Sequence, residues 1–244
     1  MKALILSAGQ GSRLLPLTAE RPKCLLPIGP KMLLEWQIDI LSRGGLEEIV
    51  VVTGFRAPMV REVLDRLVRP GLAIRTVFNP FYAVADNLAS CWLARHEMNG
   101  DFLVVNGDTL FESQVLQRVL AAAGAPVIVT IDRKSSYDAD DMKVQLDGAR
   151  LVAIGKTLPS QNVHGESIGL LAFREEGPRL FAEAIDRSMH TAEGLTSWYL
   201  KVIGHLAKAH RVETASVEGL AWGEVDYNAD LRRAERLVAT GKLV

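Results

Sequence analysis

Short apolar runs alternate along the chain with stretches in which apolar residues recur every three or four positions. Ala3 to Leu6 reads as a buried strand, Leu33 to Ser42 as a helix and Glu48 to Thr53 as a second strand. Val60, Val63, Leu64 and Leu67 fall at i, i+3, i+4 and i+7, which is one helical face. Ala73 to Phe78 follows as a strand, and Asn87 to Met98 as a helix carrying Leu88, Cys91, Trp92 and Arg95. Asp101 to Asn106 is a further buried strand, and Val115, Leu116, Val119 and Leu120 line the next helix. Strands alternating with helices imply right-handed crossovers and a mostly parallel sheet flanked by helices.

The second half changes character. Pro126 to Asp132, Met142 to Asp147, Leu151 to Gly155 and Ile168 to Phe173 are strand-like with short connections, which suggests a small mixed β insertion. Asp147-Gly148 lies between two apolar runs and predicts a hairpin. Helices return at Pro178 to Ser188 and Ser197 to His210. A strand from Arg211 to Val217, a short Trp222 to Asp226 segment and a last helix from about Asn228 close the chain.

The loop after the first strand carries the chemistry. Gly9 and Gly11 let the backbone of Ser7 to Arg13 approach an anion closely, and N–H groups in such a loop converge as a nest. Arg13 and Lys23 are two fixed cations beside it, as a triphosphate requires. Both are read as charges in a polar loop, with little bearing on folding. A dinucleotide fold is disfavoured: Leu14 stands where a third glycine would be, and Pro16 and Pro22 oppose a long helix there. Thr53 ends the second strand without an acidic residue for a ribose. A purely structural turn would not need two glycines and two cations together.

Two carboxylates form the second signal. Asp108 follows the strand ending at Asn106, and Asp226 ends another short strand just before a helix. In an open parallel sheet ligands bind beyond the carboxyl ends of the strands. Two carboxylates delivered there suit Mg²⁺, which takes few protein ligands and fills its octahedron with water and phosphate oxygens. Asp at a strand end is also an ordinary turn or cap residue. No Lys or Arg stands immediately beside either, so the pair is expected to be unpaired and mutually repelling without a metal.

Composition narrows the class. The 244 residues are 48% hydrophobic and 23% charged with a formal net charge of −1, and no basic block speaks for nucleic acid. Cys24 and Cys91 cannot make a four-ligand zinc site, and free thiols in a reducing cytoplasm are expected. No apolar stretch reaches the length of a signal h-region or a membrane span. The reading is a cytoplasmic enzyme with small-molecule substrates; a homodimer is compatible with it.

Gly9, Gly11, Arg13, Pro22 and Lys23, with the later Gly107-Asp108 turn and Glu224-Val225-Asp226, resemble the signature of the nucleotidyltransferase family. The middle of the chain is similar to the phosphocholine cytidylyltransferase group. The strings that carry this are Asn79 to Arg95, Tyr137 to Val144, Ile154-Gly155-Lys156 and Gly165 to Phe173. Asp86-Asn87 stands where Asn-Asn is commoner, and Tyr227-Asn228-Ala229-Asp230 where Thr-Pro-Glu-Asp is more usual.

The resemblance implies one GT-A-like, Rossmann-like domain, with a nucleotide-binding half to about residue 130 and an acceptor-binding half after it. It implies catalytic Arg13 and Lys23, metal ligands Asp108 and Asp226, and Mg²⁺. Leu6, Ala8, Gly9, Gly11, Ser12, Asn79, Asn87, Ser90 and Gly107 would contact the nucleotide. Lys156, Glu166, Tyr137 and Trp198 would lie near the acceptor. Tyr82, Tyr199 and Trp222 join Tyr137 and Trp198 as candidate walls for a cationic head group. The implied reaction transfers CMP from CTP to a phosphorylated acceptor such as phosphocholine, releasing pyrophosphate. A sugar-1-phosphate with another nucleotide, or a non-catalytic nucleotide-binding regulator, are the alternatives.

Overall fold

The computed structural model describes residues 1–243. Its regular elements are, in chain order, β1 (Lys2–Ser7), β2 (Pro27–Ile28), β3 (Lys31–Met32), α1 (Leu33–Arg43), β4 (Glu48–Thr53), α2 (Ala57–Leu67) and β5 (Ala73–Phe78). There follow α3 (Asn87–Leu93), β6 (Phe102–Asn106), β7 (Thr109–Phe111), α4 (Ser113–Ala121), β8 (Val127–Asp132), β9 (Lys143–Asp147) and β10 (Arg150–Gly155). The chain ends with β11 (Gly165–Phe173), α5 (Gly177–Met189), α6 (Tyr199–Ala209), β12 (Val212–Ser216), β13 (Trp222–Glu224) and α7 (Asn228–Ala239). Among the described residues no helix is long and apolar enough to cross a membrane.

The elements form two compact units. The first gathers Met1–Val84, Val104–Gln117 and Leu220–Val244, the second Ala85–Leu103 and Arg118–Gly219. The chain leaves the first unit and re-enters it twice. The last helix belongs with the first strand because α7 packs against β2 and β13.

In the first unit β5, β4, β1 and β6 lie in that order. β1 runs parallel to β4 from Lys2↔Glu48 to Ser7↔Thr53, and β4 parallel to β5 as far as Thr53↔Phe78. Ser7, Thr53 and Phe78 thus finish level, and the loop after β1 leaves from that shared edge. The apolar runs at β1, β4 and β6 are buried, Val50, Val51 and Val52 completely, whereas β5 at the end of this order has no buried residue. Such runs, rather than alternating ones, mark strands covered on both faces.

The second unit is the mixed β insertion the short connections suggest. Its strands lie in the order β11, β8, β12, β10, β9. β9 pairs back onto the start of β11 at Gly165↔Val144 and Glu166↔Lys143, so the order closes on itself. The hairpin at Asp147-Gly148 is present, with Asp147 opposite Arg150. The rings of Phe102, Phe173 and Phe181 stack at successive 4.6 Å spacings, and Tyr199 meets Phe181 edge-on. Two helices are shorter than their apolar pattern. The Asn87 to Met98 stretch tightens into a 3-10 turn at Arg95–Glu97, and α6 starts at Tyr199 because Trp198 is extended.

One buried polar side chain ties the first unit together. Gln37 on α1 is fully buried, and its Nε2 donates to the carbonyls of both Asn106 and Thr109 at 2.8 Å. Both partners are acceptors, so the amide can face only one way. These bonds span the turn that carries Asp108. Gln37→Leu keeps the apolar bulk and strands two carbonyls. It is expected to cost about 2 kcal/mol, a fall in Tm of about 4–8 °C for a chain of this size. An unchanged Tm in a thermal melt would show that the turn holds itself.

Candidate active site

The loop after β1 is an open cradle of N–H groups. Its carbonyls are taken from within: Ala8 O accepts from Phe55 N–H, Gln10 O from Lys23 N–H, and Gly11 O from both Leu14 N–H and the Thr18 hydroxyl. The N–H groups of Gly9, Gln10, Gly11 and Ser12 meet no acceptor among the described residues. Gly9 and Ser12 are exposed, while Leu6 and Gly11 are half-buried and Ala8 is buried. Gly11 has φ +81°, and a Cβ there would lie 2.8 Å from Lys23 Cβ. Only glycine turns the chain this way and lets the lysine stem lie against it.

Lys23 opens a 3-10 turn, Lys23–Leu25, after Pro22. Cys24 and Leu25 are buried and anchor that turn, leaving the lysine directed toward the carboxylates. Burial pushes the Cys24 thiol up to about 12, so it stays a neutral packing group.

Asp108 and Asp226 are brought together by short structure that hydrophobic periodicity does not reveal. β7, directly after Asp108, pairs antiparallel with β13, Thr109 opposite Glu224 and Phe111 opposite Trp222. Val225 N–H then donates to Asp108 O at 3.0 Å. Gly107 allows the turn to lie on β1: its N–H donates to Leu6 O, and a Cβ there would stand 2.4 Å from that oxygen. The role of Gly107 visible in the structure is thus a close backbone approach beside the N–H loop.

The two carboxylates are not unpaired. Lys23 Nζ lies 2.7 Å from Asp108 Oδ2 and 2.7 Å from Asp226 Oδ1. Arg13 stands 3.6 Å from Asp226 Oδ2. Two anions are matched by two cations, which corrects the expected strain in the bare site. It also corrects the expectation that Lys23 bears little on folding. The partners lie 85 and 203 positions from Lys23, so looking beside each Asp in the sequence missed them. Burial, the largest single influence, lowers the Lys23 pKa. The two carboxylates together outweigh it and hold the ammonium well above the ordinary lysine value.

A divalent cation fits this donor set. The Lys23 nitrogen engages one oxygen of each carboxylate, and the second oxygen of each could serve a divalent ion beside it. Among the described residues no third Asp, Glu, His or Cys joins them. That leaves most of a coordination shell to water and phosphate, in the manner of Mg²⁺.

The other sequence-predicted residues are distributed between the units. In the first, Asn79 is buried and its Oδ1 accepts from Phe81 N–H at 2.8 Å. Tyr82 packs edge-on against Phe55 at 6.1 Å, and Trp222 is half-buried on β13. In the second, Asn87 Oδ1 accepts from Tyr199 N–H at 3.0 Å and so caps α6, and Ser90 is buried. Both asparagine oxygens thus serve the chain's own backbone. Tyr199 is wholly buried and is core, which removes it from the candidate walls.

The residues expected near the acceptor form a charged cluster within the second unit. Lys134 Nζ lies 2.7 Å from Asp141 Oδ2, 3.0 Å from Glu166 Oε1 and 5.7 Å from the centre of the Tyr137 ring. Lys156 Nζ lies 4.7 Å from the Trp198 ring centre and 3.4 Å from Asp140. Buried Lys143 ties the two groups by donating to the carbonyls of Asp138 and Lys156. Lys134, Lys143 and Asp141 were not singled out from the sequence, although two of them lie inside the string Tyr137 to Val144. Burial raises the Glu166 pKa to about 7, with Lys134 opposing and Asp141 assisting the rise.

The family model described as nucleotidyl transferase matches residues 2–141. The CMP-5'-(3-aminopropyl)phosphonate synthase of Streptomyces rubellomurinus is 31% identical over 96% of this chain and 38% of that protein. The choline-phosphate cytidylyltransferase of Streptococcus pneumoniae is 34% identical over 46% of this chain and 47% of that protein. The chain thus matches less than half the length of either curated relative. The solved inositol-1-phosphate CTP transferase from T. maritima superposes with a TM-score of 0.83 over 99% of this chain and 95% of its own, at 20% identity. That likeness shows a shared α/β fold. The family model covers more than half of the chain, and the chain belongs to the nucleotidyl transferase family.

Proposed function

We propose that the chain transfers CMP from CTP to a phosphorylated acceptor, releasing pyrophosphate, and that the acceptor carries a cationic group, as phosphocholine does. The observation that carries the transfer chemistry is the Lys23 ammonium held between Asp108 and Asp226 beside a loop of unsatisfied N–H groups. The choice of CTP rests on the relatives, whose names specify CMP or cytidylyl products.

In this reading the N–H groups of Gly9 to Ser12 receive the triphosphate, and Arg13 holds its β/γ end. An acceptor phosphate oxygen attacks the α-phosphorus in line, the α–β bridging bond breaks, and pyrophosphate leaves with that electron pair. Lys23 uses two of its three N–H donors on the carboxylates and keeps one for an α-phosphate oxygen. Asp108 and Asp226 would hold Mg²⁺, which when bound supplies positive charge to phosphate oxygens that otherwise repel one another. No covalent intermediate is needed, because positioning and charge neutralisation are the catalytic resources of such transfers.

The test is a pyrophosphate-release screen of four nucleoside triphosphates against phosphocholine, other phosphorylated amines and sugar-1-phosphates. CTP with a phosphorylated amine is expected to turn over. Turnover only with a sugar-1-phosphate would transfer the assignment to that branch, and none at all would favour a regulator. With the productive pair, Lys23→Ala, Asp108→Asn and Asp226→Asn are each expected to lower the rate about a hundredfold or more. Lys23→Ala should also melt earlier, since it leaves two carboxylates facing each other. EDTA should stop turnover and Mg²⁺ restore it.

The acceptor cluster gives a pH signature. Glu166 is neutral below about 7 and anionic above. A cationic acceptor is therefore expected to bind more tightly as pH rises through that value. Glu166→Gln should flatten the KM–pH profile for phosphocholine while leaving the CTP profile alone. A wild-type acceptor KM that rises with pH would remove Glu166 from this role.

A further inference from the structure

The N–H loop stays open because its carbonyls are tied back into the protein, and each tie sets where the following N–H points. A trans peptide is planar with its C=O and N–H opposed, so a carbonyl held inward turns the next N–H outward. Phe55 N–H holds Ala8 O and thereby aims Gly9 N–H, while Lys23 N–H holds Gln10 O and aims Gly11 N–H. Both of these anchors are main chain. The third peptide, Gly11–Ser12, is tied by a side chain: Thr18 Oγ1 donates to Gly11 O at 2.8 Å.

We propose that Thr18 is a positioning residue: its hydroxyl holds the Gly11 carbonyl inward and so keeps Ser12 N–H aimed at the triphosphate. This rests on the reading of the loop as the triphosphate seat. Gly11 is where such a tie is needed, because the glycine that can adopt φ +81° is also the residue most free to leave it. Leu14 N–H shares the Gly11 carbonyl at 3.0 Å, but it belongs to the same short turn and moves with it. Thr18 brings an anchor from outside that turn.

The anchor is itself fixed. Thr18 is fully buried, and Gln10 Nε2 donates to its carbonyl at 3.1 Å. Gln10 and Thr18 thus clasp each other across the loop, each with its side chain on a backbone carbonyl. With no exposed surface, Thr18 acts on a ligand only through the Gly11–Ser12 peptide. An array of donors fixed in advance loses less freedom when the ligand arrives, and that saving appears as affinity.

The test sets binding against stability, with CTP affinity measured by calorimetry in Mg²⁺ without acceptor, and Tm by thermal melt. Thr18→Val keeps the buried volume and loses the hydroxyl, and is expected to weaken CTP binding about three- to tenfold. Thr18→Ser keeps the hydroxyl and loses a buried methyl, so it should melt about 2–4 °C lower yet bind CTP as wild type does. Should Thr18→Val fail to fold, Gln10→Met at its half-buried position opens the same clasp and should weaken CTP binding about two- to threefold. Wild-type CTP affinity in the variant that opens the clasp, or affinities that follow Tm instead of the hydroxyl, would overturn the proposal. If the wild type binds CTP and these variants bind it equally well, the site reading stands and this one falls. If the wild type binds none of the four nucleoside triphosphates, both fall.

Discussion

The site depends on one ammonium group. Lys23 stands 2.7 Å from each of two carboxylates that arrive from distant parts of the chain. Two aspartates this close would otherwise repel, and each would be pressed to take up a proton. The lysine cancels that repulsion while burial works against its own charge, and the carboxylates prevail. Much of the first unit serves this geometry. Gly11 admits the lysine stem, Gln37 pins the Asp108 turn, β7 and β13 bring Asp226 alongside, and Asp230 fixes the backbone of Asp226.

A cation held between two carboxylates would also let the site be stable before any ligand binds and still accept the highly charged one proposed for it. The side chains balance as two positive and two negative charges, so the N–H loop is the part left unsatisfied. Backbone N–H groups need no change of protonation to receive phosphate, and a fixed array of them costs little reorganisation when negative charge arrives. In the proposed reaction Lys23 serves two ends: it supports the fold as an ion-pair partner and would supply a donor to the chemistry. Its removal is therefore read in both stability and rate.

Much of this was legible in the sequence where the signal was local. The buried strands, the amphipathic helices, the hairpin at Asp147-Gly148 and the loop from Gly9 to Lys23 follow from periodicity, turn chemistry and glycine spacing. Paired elements of two or three residues, such as β7 with β13, were not legible, because they are too short to show a period. The Lys23 bridge was hidden because its partners are far away along the chain. The aromatic residues illustrate the same limit. Tyr199 and Trp198 are neighbours in sequence, yet one is core and the other faces a lysine, a difference set by where α6 begins. Residue 227 was read as part of a helix start, and the structure adds a ring beside Arg13.

Attack at the α-phosphorus is the central step of the proposed reaction, and the position of a label tests it directly. The chain would be incubated with Mg²⁺, a phosphorylated amine and CTP carrying ³²P at either the α or the γ position. Label from the α position is expected in the acceptor product, and label from the γ position in pyrophosphate alone. Transfer of γ label to the acceptor, or release of γ label as free phosphate with no acceptor modified, would contradict nucleotidyl transfer at this site.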